Sequence, residues 1–317
     1  MATKPLKELF GVNSQQSMDV GDQPPKYRAS PIDSYVFRPS ALSDVLLYWR
    51  LRRRACMITG HKGCGKTSLV EQFHLRVNQD LVQMTGNGKT NLEALFGQYV
   101  LNSAGNLEWQ DGPVTMAARQ GFSVLINEFN AIPEDVQIAL NDVAHEGAPF
   151  AIPEKGEQFM PAPGFRIFGT INPKGANDFM YRGRKEMDAA LKERWFWINL
   201  DYGTEEEEKK IVLAIWKKHG VDEVIAKPLV EQMLAVARDV RDSAERTDAS
   251  AIPEIISTRV LVNWAEYWSC LRSKEGAVHL ALQRALTFGC RPEVAFAIHA
   301  IVATRTSVPS PYGLVRA

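Results

Sequence analysis

The stretch GHKGCGKT at residues 60–67 decides the fold, because it fits G-x-x-x-x-G-K-[ST], the pattern of a loop that cradles nucleotide phosphates. The apolar run ACMIT at 55–59 is typical of a buried strand. Residues 67–77 carry apolar side chains at helical spacing. Strand, loop and helix in this order distinguish a phosphate-binding loop from a chance glycine-rich turn.

The residues of this loop indicate a bound nucleoside triphosphate with Mg²⁺. Glycines let the backbone approach the phosphates, and N–H groups at the helix N-terminus face their negative charge. We expect Lys66 to reach the β- and γ-phosphates and the hydroxyl of Thr67 to bind Mg²⁺. The expected nucleotide-binding residues are Gly60, His61, Lys62, Gly63, Cys64, Gly65, Lys66, Thr67 and Ser68.

Bulk composition is that of an ordinary globular protein of 317 residues, long enough for two packed units. Lys+Arg and Asp+Glu both number 37, so the formal net charge is zero. A neutral protein has no overall electrostatic attraction to nucleic acid or to an anionic membrane, and we expect neither partner. No apolar run reaches bilayer length, the polar N-terminus lacks a signal-peptide core, and the four cysteines lack metal-type spacing. We therefore expect a cytoplasmic protein with reduced thiols.

A local basic cluster, Arg50 and Arg52–Arg54, lies at the end of an amphipathic helix pattern over residues 40–54. One interpretation is contact with nucleic acid. The other is that cations at a helix C-terminus complement the helix dipole, and we favour it because it needs no partner.

The first 35 residues are expected to form a polar arm. They are rich in Gln, Ser, Asp and Pro, apart from LKELF at 6–10, and such a composition does not bury a core. Two alternatives remain open here. Leu9 and Phe10 dock on a neighbour, or the terminus is frayed.

Residues 36–202 are predicted to form an α/β nucleotide-binding domain. Apolar runs predict strands at 55–59, 81–84, 122–126, 165–171 and 195–200. An insert at about 86–112 contains a hairpin that turns near 103–106, and a second hairpin at about 148–164 turns near 154–157. Residues 203–317 are predicted to be an all-helical domain, with helices near 204–219, 227–246, 257–272, 275–288 and 291–304.

Polar residues stand at the ends of the later strands. Asn127 and Glu128 end the third, where P-loop ATPases carry acidic residues that support Mg²⁺ through water and activate the attacking water. Asn172 ends the fourth and would orient that water, with an Asx-turn before Pro173 as the secondary interpretation. Arg194 directly precedes the fifth strand. In isolation it would be a solvated helix-end cation, whereas beside a nucleotide it would reach the γ-phosphate of a neighbouring subunit. Arg259 opens a later helix.

This ordered set resembles an AAA+ ATPase, and the hairpin at 98–112 followed by Gly112-Pro113 resembles the MoxR branch of that family. Members of the branch carry an insert in the second helix and a hairpin before sensor 1. Within it the chain is similar, over almost its whole length, to the CobS ATPase subunits of aerobic cobaltochelatase. The stretches that carry this similarity are ELFGV at 8–12, YRG at 181–183, ERW at 193–195, STR at 257–259 and VNWAE at 262–266.

The resemblance implies an AAA+ core with a five-stranded parallel sheet and a C-terminal helical lid. It implies ATP and Mg²⁺ as cofactors, and a homo-oligomeric ring, usually a hexamer. It also implies a partner with a von Willebrand factor A domain and, in CobS-like systems, a complex that inserts Co²⁺ into a corrin ring. The implied roles are Walker A for Lys66 and Thr67, Walker B for Glu128, sensor 1 for Asn172, the trans arginine finger for Arg194 and sensor 2 for Arg259.

Asn127 departs from the family, which has Asp at this position. The neutral amide is expected to weaken Mg²⁺ binding through water and to slow turnover, while ATP binding survives. A CobS-like motor is the first hypothesis, and a MoxR-type activator of another metalloenzyme, like CbbQ or NorQ, is the second. A weakly hydrolysing nucleotide-dependent scaffold is the third, and a DNA-directed motor, which the neutral charge disfavours, is the fourth.

Overall fold

The computed structural model describes residues 2–172, 189–246 and 251–312. Its backbone divides into two units, and the division interleaves along the chain. The first unit comprises Met1–Ile32, Pro39–His61 and Lys66–Asp201, and the second comprises Asp33–Arg38, Lys62–Gly65 and Tyr202–Ala317. Because short segments near residues 33–38 and 62–65 group with the C-terminal region, the simple domain limits given above stay a prediction.

The described elements of the first unit alternate strands and helices after residue 50, except where two hairpins are inserted. In chain order they are β1 (Ala2–Pro5), α1 (Leu6–Phe10), β2 (Ser17–Val20), α2 (Pro39–Arg50), β3 (Ala55–Thr59), α3 (Lys66–Arg76), β4 (Leu81–Thr85), α4 (Leu92–Phe96), β5 (Gly97–Leu101), β6 (Leu107–Asp111), α5 (Pro113–Gln120), β7 (Ser123–Asn127), α6 (Glu134–Ala144), β8 (Phe150–Ile152), β9 (Glu157–Phe159), β10 (Arg166–Ile171), α7 (Ala189–Arg194) and β11 (Phe196–Asn199).

Five of these strands form one parallel sheet in the order β11-β3-β10-β7-β4. Ala55–Ile58 of β3 and Ser123–Ile126 of β7 are fully buried, which is why both strands appear in the sequence as unbroken apolar runs. The predicted five-stranded parallel sheet is therefore confirmed. In a parallel sheet the carboxyl ends of all strands lie at one edge, which is where ligands bind in such folds.

Strand order determines which polar residues meet at that edge. β10 lies between β3, which leads into the phosphate loop, and β7, which ends at Asn127. Asn172 follows β10 directly. It therefore stands between the loop and the Asn127-Glu128 pair, although it is far from both in sequence.

Two antiparallel hairpins project from the sheet connections. β5 pairs with β6 around a turn closed by the Asn102 N–H and the Asn106 carbonyl at 2.9 Å, and β8 pairs with β9. Arg119 of α5 joins them, because its guanidinium donates to Asp111 of β6 at 2.8 Å and to both oxygens of Glu157 of β9 at 2.7 and 2.8 Å. Hydrogen bonds from Arg119 and, to a smaller extent, from Lys155 lower the pKa of Glu157 to about 2.

The N-terminal segment differs from the expected polar arm. β1 and β2 form an antiparallel ribbon, and Leu6, Leu9 and Phe10 of α1 are buried. The ring of Phe10 stacks on Phe73 of α3, with ring centroids 5.4 Å apart. Neither docking on a neighbour nor fraying therefore describes Leu9 and Phe10, which pack on their own unit, where α3 offers an aromatic surface within reach.

Helix α2 ends at Arg50, earlier than expected, and Arg52 has a positive φ of 55°. The dipole interpretation of the basic cluster therefore applies only to Arg50. The guanidinium of Arg54 donates instead to the carbonyls of Val143, His145 and Ala148, at 3.3, 2.6 and 3.1 Å. It caps α6, because the last carbonyls of a helix have no partner within that helix.

The second unit is helical over its described C-terminal part, as predicted. Its helices are α8 (Glu205–Lys218), α9 (Glu223–Ala244), α10 (Thr258–Leu271), α11 (Ala277–Ala285) and α12 (Pro292–Thr306). Thr204 and Glu207 form the capping box expected at the start of α8. Helix α9 begins before the expected residue 227, because the Asp222 side chain caps it at 2.8 Å and Pro228 is accommodated inside it.

Two further observations concern the described residues as a whole. None of their helices is long and apolar enough to cross a membrane. They contain no group of three or more His, Cys, Asp or Glu side chains that could hold a metal ion. The YRG stretch at 181–183, which supports the CobS resemblance, lies outside the described residues.

A chain of hydrogen bonds runs through two buried histidines of the second unit. The Val308 carbonyl can only accept, so His279 donates to it through Nε2 at 3.0 Å. The Nδ1 of His279 then accepts from Nδ1 of His299 at 2.7 Å, and Nε2 of His299 accepts from the Thr287 hydroxyl at 2.8 Å. This donor pattern requires neutral rings, in agreement with burial, which lowers the pKa of His299 to about 4 and also lowers that of His279.

We expect acid to destabilise the protein through this pair. Both rings are neutral in the folded state, whereas in the unfolded state they take up protons near pH 6.5, so stability is lost as pH falls from about 6.5 toward 4. The measurement is the urea midpoint between pH 8 and pH 4.5. His299→Asn keeps a donor to His279 without a titrating ring, and should reduce the pH dependence.

His219→Asn, at the exposed end of α8, is the matched control and should leave the pH dependence as in the wild type. An identical pH profile in the wild type and in His299→Asn would contradict a role for the pair.

Candidate nucleotide site

The carboxyl edge of the sheet holds the residues that the sequence singled out. Lys66 is the first residue of α3, and Asn127 is the last of β7. Glu128 follows with φ 57° and ψ 42°, a left-handed conformation that is uncommon for a residue with a side chain. Such outliers are concentrated at functional sites, where the surrounding structure holds them in place.

The ammonium of Lys66 is buried and makes hydrogen bonds to three oxygens. It donates to the carbonyls of Gly60 and His61 at 2.6 and 2.9 Å and to Oδ1 of Asn172 at 2.7 Å. Two of the acceptors belong to the phosphate loop itself. Phosphate oxygens carry more negative charge than carbonyls, so a bound phosphate can replace these two acceptors while Asn172 stays in place.

Asn172 links Lys66 to Glu128. Its Oδ1 faces an ammonium, which only donates, and its Nδ2 donates to the Glu128 carboxylate at 3.2 and 3.4 Å. The amide orientation is therefore determined by both neighbours. Asn172 is 3 % exposed. These contacts favour the site interpretation of Asn172 over a plain Asx-turn, whose proline lies outside the described residues.

Asn127 is oriented by two hydroxyl groups. Its Oδ1 accepts from the Thr67 hydroxyl at 2.6 Å and from the Thr170 hydroxyl at 3.2 Å. The Thr170 oxygen in turn accepts the Glu128 N–H at 3.3 Å. Thr170 was not among the residues expected at the site, although a lone hydroxyl near the carboxyl end of the apolar strand RIFGTI is a detectable feature.

These orientations test whether the site fits Mg²⁺. The Thr67 hydroxyl gives its proton to Asn127, so its lone pairs remain for a metal. With Oδ1 engaged by two hydroxyls, the remaining polar atom of Asn127 is Nδ2, which donates and cannot accept a proton from metal-bound water. The residues fit Mg²⁺ at Thr67, with one acceptor fewer than a carboxylate at position 127 would provide.

Arg194 does not join the cluster among the described residues. Its side chain is 41 % exposed and donates to the Asp142 carboxylate at 3.4 Å and to the Asn141 carbonyl at 3.5 Å. Long contacts of an exposed cation contribute little, typically 0–1 kcal/mol, so they would release the side chain readily.

The second unit contains the tip of the loop, Lys62–Gly65, and Arg259. The Arg259 backbone N–H donates to the Gly63 carbonyl at 3.0 Å, while its side chain is exposed. The structure thus brings together Lys66, Thr67, Asn127, Glu128 and Asn172 in the first unit. It brings Arg259 to the loop tip by its backbone.

Comparison with known proteins identifies the family. A model of the AAA domain (dynein-related subfamily) matches residues 55–195, and a model of the CbbQ/NirQ/NorQ C-terminal region matches residues 208–305. Together these matches indicate a MoxR-type AAA+ ATPase. The first match begins at β3, the strand before the phosphate loop, and the second ends within α12. An AAA domain implies nucleotide binding.

Individual relatives agree with this assignment. Protein CbbQ of Hydrogenophilus thermoluteolus is 29 % identical over 250 residues, which cover 78 % of this chain and 86 % of that protein. The aerobic cobaltochelatase subunit CobS of Sinorhizobium sp is 24 % identical over 267 residues, covering 82 % and 79 %. Midasin of Dictyostelium discoideum is 31 % identical over 181 residues, 56 % of this chain. The chain spans only 3 % of that protein's length.

Asn127→Asp should tighten Mg²⁺ binding to the protein–nucleotide complex. A carboxylate still accepts from Thr67 and adds an acceptor for metal-bound water, and hydrogen bonds to charged groups contribute about 1.5–3 kcal/mol, so the Kd for Mg²⁺ should fall about tenfold or more. The measurement is an Mg²⁺ titration of the complex with a fluorescent nucleotide.

Asn91→Asp is the matched control for added charge, because Asn91 is an exposed helix cap that Asp replaces equally well. Equal Mg²⁺ affinity in the wild type and Asn127→Asp would mean that residue 127 does not face the metal.

Proposed function

We propose that this MoxR-type AAA+ protein binds ATP with Mg²⁺ and hydrolyses it as a subunit of a ring that acts on a partner complex. The observation that carries the proposal is the linked row Lys66–Asn172–Glu128. It aligns a phosphate-binding cation, a polar amide and a carboxylate along the carboxyl edge of the sheet. These are the three groups that hydrolysis of a γ-phosphate needs close together.

Each residue of the cluster then has a defined role in ATP hydrolysis. Lys66 exchanges its two loop carbonyls for phosphate oxygens and stabilises their charge. Glu128 takes the proton of the attacking water, and Asn172 holds the Glu128 carboxylate and the water in line. Thr67 would hold Mg²⁺ through its hydroxyl oxygen, with Asn127 keeping that hydroxyl oriented and contacting the metal's water only weakly. The metal would neutralise charge on the β- and γ-phosphates.

Glu128→Gln should lower ATP hydrolysis by about 10²–10⁴-fold, because the amide cannot take a proton from water. ATP binding should be retained, since Gln keeps an acceptor for Asn172. Phosphate release and nucleotide affinity are measured in parallel. Glu134→Gln, in the first turn of α6 outside the cluster, is the matched control. Unchanged turnover in Glu128→Gln would remove Glu128 from the mechanism.

Ring formation is supported by the position of Arg194. The residue is exposed and only loosely bound to α6, so a neighbouring subunit can recruit it. In related systems an arginine finger supplied in trans accelerates hydrolysis by about 10³–10⁵-fold. A hexamer is the ring size typical of the family.

Arg194→Ala should abolish turnover and leave ATP binding nearly unchanged, whereas Lys192→Ala on the same helix should leave both turnover and ATP binding unchanged. Mixing Arg194→Ala subunits with Glu128→Gln subunits tests the trans arrangement directly. Interfaces that combine an intact Arg194 with an intact Glu128 should restore activity. A mixture as inactive as its components would contradict action in trans.

Two client systems are candidates for the ring. The similarity to CobS along most of the chain supports a role in inserting Co²⁺ into a corrin ring, together with a von Willebrand factor A partner. The match of residues 208–305 to the CbbQ/NirQ/NorQ C-terminal region favours activation of another metalloenzyme. A third candidate, a nucleotide-dependent scaffold with little hydrolysis, is motivated by Asn127.

Partner capture separates these candidates. Glu128→Gln protein in ATP and Mg²⁺ serves as bait, because it should hold the nucleotide without turnover. Recovery of a corrin chelatase large subunit supports the CobS-like role, and recovery of a different metalloenzyme supports the CbbQ-like role. Hydrolysis that appears only in Asn127→Asp protein would favour the scaffold.

A further inference from the structure

Three consecutive carbonyls at the tip of the phosphate loop are held by donors of the second unit. The Lys62 carbonyl accepts from the Tyr202 hydroxyl at 3.1 Å, and the Gly63 carbonyl accepts from the Arg259 N–H at 3.0 Å. The Cys64 carbonyl accepts from the Arg38 guanidinium at 2.9 Å. A trans peptide unit is planar, with its N–H opposite its C=O, so holding these carbonyls also orients the next N–H groups. Those N–H groups are the ones that face phosphates in such a loop.

The contact at Gly63 depends on the first turn of α10. The first N–H groups of a helix have no partner within the helix. Ser257 caps one of them, the Val260 N–H, at 3.2 Å, and the Gly63 carbonyl takes that of Arg259. Gly63 has φ 77°, and a Cβ there would lie 2.4 Å from the Ser257 hydroxyl oxygen, so only glycine permits this approach.

A buried ion pair fixes this first turn. Glu208 of α8 is 2 % exposed and accepts two bonds from Arg241 of α9, both at 2.9 Å, and one from the Thr258 hydroxyl at 2.6 Å. The Nε of Arg241 donates to the Ile256 carbonyl at 2.8 Å. The pair therefore binds the chain at Ile256 and at Thr258, on both sides of the Ser257 cap.

The same guanidinium also supports Tyr202. It lies over the Tyr202 ring, 4.4 Å from the centroid, while the edge of the guanidinium is engaged by Glu208 and Ile256. The Glu208–Arg241 pair thus contacts Tyr202, which holds the Lys62 carbonyl, and the chain beside the first turn of α10, which holds the Gly63 carbonyl. A buried ion pair is weak evidence for added stability, because desolvation offsets its attraction. A role in positioning Tyr202 and the first turn of α10 explains the burial of this pair better than added stability does.

We propose that the Glu208–Arg241 pair positions the phosphate loop for nucleotide binding, by fixing Tyr202 and the first turn of α10. The inference rests on the proposed nucleotide binding and extends it to two residues that touch no phosphate. Nucleotide affinity then depends on the pair even though neither side chain belongs to the cluster around Lys66.

Tyr202→Phe is the mildest test, because it removes the bond to the Lys62 carbonyl and keeps the ring under Arg241. The Kd for an ATP analogue with Mg²⁺ should rise about threefold, the effect of one exposed hydrogen bond. Glu208→Gln should raise it at least tenfold. It should also speed hydrogen exchange of the Arg259 amide in nucleotide-free protein, because that amide is held by Gly63.

Two controls separate positioning from general stability. Tyr267→Phe removes a hydroxyl from α10, and Asp239→Asn breaks the more exposed pair of Asp239 with Arg305 in the same unit. Both should bind nucleotide as the wild type does. Normal nucleotide affinity in folded Tyr202→Phe and Glu208→Gln protein would overturn the proposal, as would equal losses in the controls. If Glu208→Gln does not fold, Tyr202→Phe decides alone.

Failure of the proposed function gives a different result. The wild type itself would then not bind the nucleotide analogue. The exchange rate of the Arg259 amide in Glu208→Gln would still report whether the pair holds the loop, and an unchanged rate would overturn the positioning role independently.

Discussion

The buried ammonium of Lys66 is the constraint on which the rest of the site depends. A buried cation is costly unless oxygens surround it, and here they are the Gly60 and His61 carbonyls and the Asn172 amide. Two of these belong to the loop and are exchangeable for phosphate oxygens. The third belongs to a neighbouring strand and connects the cation to Glu128. Under the proposed function, these contacts surround the position that a phosphate would take.

The parallel sheet makes this arrangement possible. Because β10 lies between β3 and β7, the carboxyl ends of the three strands deliver the loop, Asn172 and Asn127-Glu128 to one edge. Thr170 then connects the Asn127 side chain with the Glu128 backbone, so the two polar residues at the end of β7 are held by the strand beside them. Within the second unit, a buried ion pair supports the tip of the same loop from residues distant in sequence.

Local patterns were sufficient for much of this. The unbroken apolar runs revealed the strands of a sheet covered on both faces, and the loop motif with Asn127, Glu128 and Asn172 located the cluster. The failures share a physical cause. Arg54 caps a distant helix, Phe10 stacks on Phe73, and Glu208 meets Arg241 across two helices, and none of these contacts leaves a local pattern. The early start of α9 was hidden because Pro228 is usual at a helix start and costly inside one.

The contacts of Lys66 in a nucleotide-bound structure test the central claim most directly. A structure determined with an ATP analogue and Mg²⁺ should show Nζ of Lys66 released from the Gly60 and His61 carbonyls and about 3 Å from a phosphate oxygen. Asn172 should still contact both Lys66 and Glu128. A bound nucleotide with Nζ still on the two loop carbonyls, or with Asn172 turned away from Glu128, would contradict the account.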